Sequence, residues 1–102
     1  MKNEISMKAA IYLRAAEIIE RGFAKHSRGR TVTGAYCDPL DEVAVAWCLL
    51  GALDKARHEA SGADNTWGKY DPLDACKLAK WNNAPDTTQA MVAAKLREEA
   101  FA

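Results

Sequence analysis

An all-α domain, four helices packed around a central apolar helix, is the fold this sequence predicts, and three observations predict it. Residues 6–22 place apolar side chains at helical spacing, residues 43–53 are apolar on every face, and residues 86–102 repeat an amphipathic stripe behind a capping pair. At 102 residues, 49% hydrophobic and 27% charged, the chain has the size and composition of one soluble domain, residues 1–102, with a single core.

The first helix is expected over residues 6–22. Tyr12, Ala15, Ala16, Ile19 and Phe23 share one face, and Arg14, Glu17 and Arg21 occupy the other. Gly22 is a stop. Residues 24–37, AKHSRGRTVTGAYC, cannot continue it, because Gly29 and Gly34 bracket the β-branched Thr31-Val32-Thr33. The segment is a loop with room for a short β-hairpin, and a loop this long in a small domain points to function.

The tetrapeptide DPLD occurs at 38–41 and again at 71–74. In each copy the first Asp can accept from free backbone N–H groups, Pro suits the first helical position, and the second Asp complements the helix dipole. Two N-caps are the reading this supports. The copies stand 33 residues apart, an ankyrin-like period, but aligning them sets Trp47 on Lys80, so they are not a repeat. The second helix, expected from Asp38, has no polar face through Val43–Leu53 and is therefore the central one; Gly51 and Ala52 permit a close neighbour. A loop at 61–70 precedes a shorter third helix, expected from Asp71 and ended by Asn82-Asn83. Asp86, with Gln89 three residues on, caps the fourth, whose stripe is Val92, Ala93, Leu96 and Ala100.

Fourteen basic and fourteen acidic residues cancel, so the chain as a whole is not built to coat nucleic acid or an anionic membrane. Residues 1–30 nevertheless hold seven Lys/Arg against three Glu, peaking at Lys25, Arg28 and Arg30. Three cysteines without a CxxC pair argue against a disulfide framework and for a reducing, cytoplasmic setting. The N-terminal residues are interrupted by charge too often for a signal peptide or a membrane span.

Two stretches, AWCLLGALDKA at 46–56 and AKWNNAPDTTQAMVAAKLREEA at 79–100, resemble a family of small bacterial and phage proteins of unknown function. That family pairs an internal WCxxGAL helix with a late WND motif and a closing helix, and Ala15–Gly22 fits its AAEIIERG-like N-terminal segment. This chain departs at Asn83, where the family carries Asp. The resemblance implies a compact, mainly helical domain and no particular reaction.

No set of side chains converges on a chemistry. No two Cys or His lie within five residues of each other, so no metal site or cofactor is expected. Cys37, ahead of the expected second helix, is the best-placed nucleophile, but His58 would stand about 30 Å away at the far end of that helix. Cys48 reads as a small core residue. SRGRTVTG has neither Walker nor Rossmann spacing. The leading expectation is a non-enzymatic interaction protein of bacterial or phage origin. It would bind a host macromolecule through Lys25, Arg28, Arg30, Trp67 and Tyr70, as phage inhibitors of host defence such as anti-CRISPR proteins do. One alternative is an enzyme or small-molecule binder with a pocket near Trp81–Asn83. The other is a nucleic-acid accessory protein that grips phosphates with Arg28 and Arg30.

Overall fold

In a computed structural model that describes residues 6–61, 72 and 74–102, the chain forms four helices and a small two-stranded antiparallel sheet. The helices are α1 (Met7–Arg21), α2 (Leu49–Ser61), α3 (Ala75–Asn83) and α4 (Gln89–Ala100); the strands are β1 (Gly29–Arg30) and β2 (Ala46–Trp47). Among the described residues, no helix is long and apolar enough to cross a membrane.

Helix α1 begins and ends where its sequence says. The Ser6 hydroxyl accepts from the Ala9 N–H at 3.1 Å, and Gly22 turns the chain into extended backbone. Its buried residues are Ala9, Ile11, Tyr12, Ala15, Ala16, Ile18 and Ile19. That is wider than one stripe because α2 and α4 both pack on α1, which takes the central place. The expected stripe of α4, Val92, Ala93, Leu96 and Ala100, is buried as read. Its cap, however, is Thr88, whose hydroxyl accepts from the Met91 N–H at 3.2 Å, and Gln89 instead donates to the Ile19 carbonyl of α1 at 2.7 Å.

The second helix starts later than predicted. Neither acid of the first DPLD caps a helix: Asp38 accepts from the Leu40 N–H and Asp41 from the Val43 N–H, two local side-chain turns that compete with helical pairing. The chain then runs as strand through Ala46–Trp47, and α2 begins only at Leu49. Val43, Val45 and Trp47 are residues that favour a pleated backbone, and the expected all-round burial fails at Val43 and Val45, which are exposed. Trp47 is core, 2% exposed, with its indole N–H donating to the Pro39 carbonyl at 3.0 Å. Asp71 and Leu73 of the second DPLD lie outside the described residues; α3 starts at Ala75, with Asp74 at its N-cap making no capping bond through its side chain.

Strand β1 pairs with β2 in the register Gly29↔Trp47 and Arg30↔Ala46, while Trp47 also pairs with the Gly22–Ala24 segment leaving α1. The hairpin for which the 24–37 loop has room is formed. Thr31 N–H donates to the Ala35 carbonyl at 2.9 Å and Cys37 N–H to the Gly29 carbonyl at 3.0 Å, around a turn in which Gly34 takes a φ of 86°.

Candidate functional site

The basic residues of the 24–37 loop come together, but each is engaged by the chain itself. The Lys25 ammonium donates to the carbonyls of Ala84 at 2.6 Å and Pro85 at 3.4 Å, covering the C-terminal end of α3. Arg30 donates to the Gly34 carbonyl at 2.8 Å and the Lys25 carbonyl at 3.0 Å, and lies over the Tyr36 ring at 4.5 Å. Arg28 binds the carboxylate of Asp54 through Nη1. Trp67 and Tyr70 lie outside the described residues.

Two features stand out around this loop. The first is the outer surface of the hairpin and the turns beside it. Val32 is 86% exposed, Tyr36 71%, Val43 51% and Val45 46%. Tyr36 pairs with Arg30 and the Val45 N–H donates to the Arg30 carbonyl at 2.8 Å, while Val32 and Val43 lie in turns.

The second is a cleft of about 270 Å³ between the 26–28 turn, the N-terminus of α2 and the C-terminal half of α3. The alternative expectation placed a pocket near Trp81–Asn83, and the two asparagines do line this one. Asn82 is 1% exposed and fully bonded: its Oδ1 accepts from the Leu49 N–H at 2.9 Å, and its Nδ2 donates to the Ala24 carbonyl and to Asn83 Oδ1, both at 3.1 Å. Neither asparagine takes the left-handed conformation expected of a helix end; among non-glycine described residues that conformation belongs to His26, at φ 64°. The His26 N–H is held by Asn83 Oδ1 at 2.7 Å, which fixes the turn around the end of α3. The motif residues Trp47, Cys48, Gly51 and Asn82 thus belong to one piece of construction, in which the Arg28 carbonyl comes so close to α2 that a Cβ on Gly51 would stand 1.9 Å from it.

Cys48 is half-buried rather than core: it lines the cleft and precedes α2, its sulfur accepting from the Gly51 N–H at 3.3 Å. Burial pushes its thiol pKa up despite those backbone N–H groups and nearby Arg28, so it stays protonated and is no poised nucleophile. Cys37 is also pushed up, by desolvation and by the carboxylates of Asp41 and Asp38. The helix terminus expected to lower it is not there, because α2 begins only at Leu49, twelve residues after Cys37.

Sequence reasoning also missed Asp54 and Arg57, which read as the polar end of α2 but are buried at 3% and 2%. Asp54 receives Arg28 and Arg57 together. Their three-residue spacing, on the face that carries Leu50, was the available signal. Among the described residues, no group of three or more His, Cys, Asp or Glu side chains is arranged to hold a metal ion.

No curated protein and no solved structure matches the chain. A family model described as "Family of unknown function (DUF6197)" matches residues 6–101, nearly the whole length, and the chain belongs to that family.

Proposed function

We propose that the protein works by binding another protein, with the 31–36 hairpin and the adjoining 43–45 turn as its docking face. One observation carries the reading: four large apolar side chains, Val32, Tyr36, Val43 and Val45, are exposed on the hairpin and on the turns that adjoin the small sheet. Isolated exposed apolar residues need no explanation, but a group of them on one rigid platform is what interfaces are built from, and tyrosine is a favoured anchor. Arg30 beneath Tyr36 holds that ring in place.

In this reading Lys25 and Arg30 brace the platform from within; Trp67 and Tyr70, the further contacts the sequence offers, lie outside the described residues. The engagement of Lys25 and Arg30 with carbonyls argues against a free phosphate-gripping loop, so the nucleic-acid reading is the weaker one. The partner proposed is a host macromolecule, a reading supported by the resemblance to bacterial and phage proteins, with inhibition of a host defence complex as its narrower form.

The test is affinity capture from host lysate with the wild-type chain and a Val32→Ser/Tyr36→Ser double variant. A stoichiometric partner recovered by wild type should be lost from the double variant, and a Met91→Ser control on the exposed face of α4 should retain it. Equal recovery by the double variant, with its helical circular dichroism unchanged, removes the hairpin as the docking face.

A further inference from the structure

The cleft beside Asn82 and Asn83 has a chemistry of its own. Of its lining groups, Arg28 and His26 are basic or protonatable, Asn83 and Ser27 are polar and neutral, and none is acidic. The first N–H groups of α2 are not available to a ligand, since Leu49 N–H goes to Asn82, Gly51 N–H to Cys48 sulfur and Ala52 N–H to the Cys48 carbonyl. The donors left are on side chains.

Arg28 is the chief of them. Its Nη1 is bound by the buried carboxylate of Asp54, while Nε and Nη2 donate to no described residue and the side chain is 48% exposed. A guanidinium anchored at one nitrogen presents the opposite edge in a fixed orientation, and that edge matches the two oxygens of a carboxylate or phosphate. Asn83 Oδ1 is taken by the His26 backbone and Asn82 side-chain N–H groups, which orients its Nδ2, bonded to no described residue, as a further donor. Leu50, Ala79 and the protonated Cys48 thiol supply an apolar wall for a carbon skeleton. The volume, about 270 Å³, falls just below the common range for ligand pockets and suits a small molecule rather than a dinucleotide.

We propose that this cleft binds the anionic group, carboxylate or phosphate, of a small metabolite, with the Nε/Nη2 edge of Arg28 as its receptor and Asn83 and His26 as flanking contacts. The site is independent of the hairpin face and stands whether or not that face docks a partner.

The experiment titrates the nitrogen-labelled full chain with sodium phosphate and, separately, sodium acetate, against sodium chloride at matched ionic strength. Saturable shifts at the Arg28 Nε and Asn83 side-chain resonances, absent with chloride, are expected. Phosphate-only saturation assigns a phosphorylated metabolite and acetate-only saturation a carboxylate. Replacing Arg28 would strip the buried Asp54 of one of its partners, so the decisive variants are Asn83→Asp, which keeps the acceptor for His26 but puts a negative charge in the cleft, and His26→Gly, which suits the positive φ. Asn83→Asp should weaken binding by about ten-fold or more, the scale of one lost charge-assisted contact. His26→Gly serves in its place if that variant does not fold. Shifts no larger than those with chloride, or wild-type affinity in the folded variant, overturn the proposal.

Discussion

Gly51 shows how a single side-chain hydrogen organises the region. Its α2 backbone and the Arg28 carbonyl are in such close approach that a methyl group would stand 1.9 Å from the oxygen and 2.7 Å from its carbon, and both belong to backbone that cannot rotate away. Two effects oppose each other in Gly51→Ala. Helix propensity favours alanine by about 1 kcal/mol, while forcing a methyl into packed backbone costs about 1–3 kcal/mol and more when nothing flexible can yield. The clash, here at or above the top of that range, wins, and urea unfolding should show a net loss of about 2 kcal/mol or more, whereas Gly34→Ala, in open space but at positive φ, should lose less. The need for a small residue at Gly51 was legible in the sequence, but its partner was not. Spacing suggested a neighbouring helix, and the neighbour is a loop 23 residues upstream that only the tertiary fold delivers. The cleft was half-visible for the same reason. Asn82-Asn83 stood out as polar residues after Trp81, but His26 reaches Asn83 across 57 positions, a pairing with no local periodicity to announce it.

At the scale of elements, α1 and α4 were readable because each carries an unbroken stripe of the helical period, although the start of α4, read as an Asp86 cap, is set by Thr88. The segment 38–48 was not, because a short apolar run bounded by turn residues has the same pattern in a buried helix and a buried strand. Val43, Val45 and Trp47, with Asp38 and Asp41 bonding their own backbones, settled it toward turns and sheet. The helices are further tied by ion pairs, Arg14 of α1 to Glu59 of α2 at 2.8 Å and Arg97 of α4 to Glu20 of α1 at 2.8 Å. The hydrogen bond from Arg14 holds the Glu59 carboxyl below its ordinary 4.5, and Arg97 does the same for Glu20. A carboxyl depressed in the folded state contributes stability above its unfolded pKa and loses it as pH falls through the folded value. Arg14→Gln should therefore be less stable than wild type at neutral pH, by less than about 1 kcal/mol for so exposed a pair. The two should converge at a pH well below 4.5, where Glu59 is protonated in both. Denaturant midpoints across that range check the sign; a difference that persists in acid would assign the loss to packing of the arginine stem.

For the molecule as a whole, the four helices are not equally secured. Helix α1 shares extensive surfaces with α2 and α4, whereas α3, among the described residues, packs chiefly against α2, burying Leu78 and Asn82 fully and Trp81 in part. Its attachment therefore rests on polar bonds at its C-terminal end more than on apolar area. Asn82 joins α3 to the first N–H of α2 and to the Ala24 carbonyl, Asn83 holds the His26 N–H, and Lys25 covers the carbonyls of Ala84 and Pro85. Removing Asn82 leaves a buried N–H and a buried carbonyl without partners, at about 1–3 kcal/mol each. That is a large share of the 5–15 kcal/mol by which domains of this size are ordinarily stable, but it falls on one element. Local opening follows the weakest attachment, so Asn82→Ala should release α3 before the rest unfolds. Hydrogen exchange on the intact chain should then show amides of residues 75–83 exchanging faster than in wild type while residues 9–19 and 92–100 keep their protection. Uniform acceleration through all four helices would mean instead that α3 and the α1–α2–α4 core open as one unit, and that Asn82 secures the whole fold rather than the wall of its cleft.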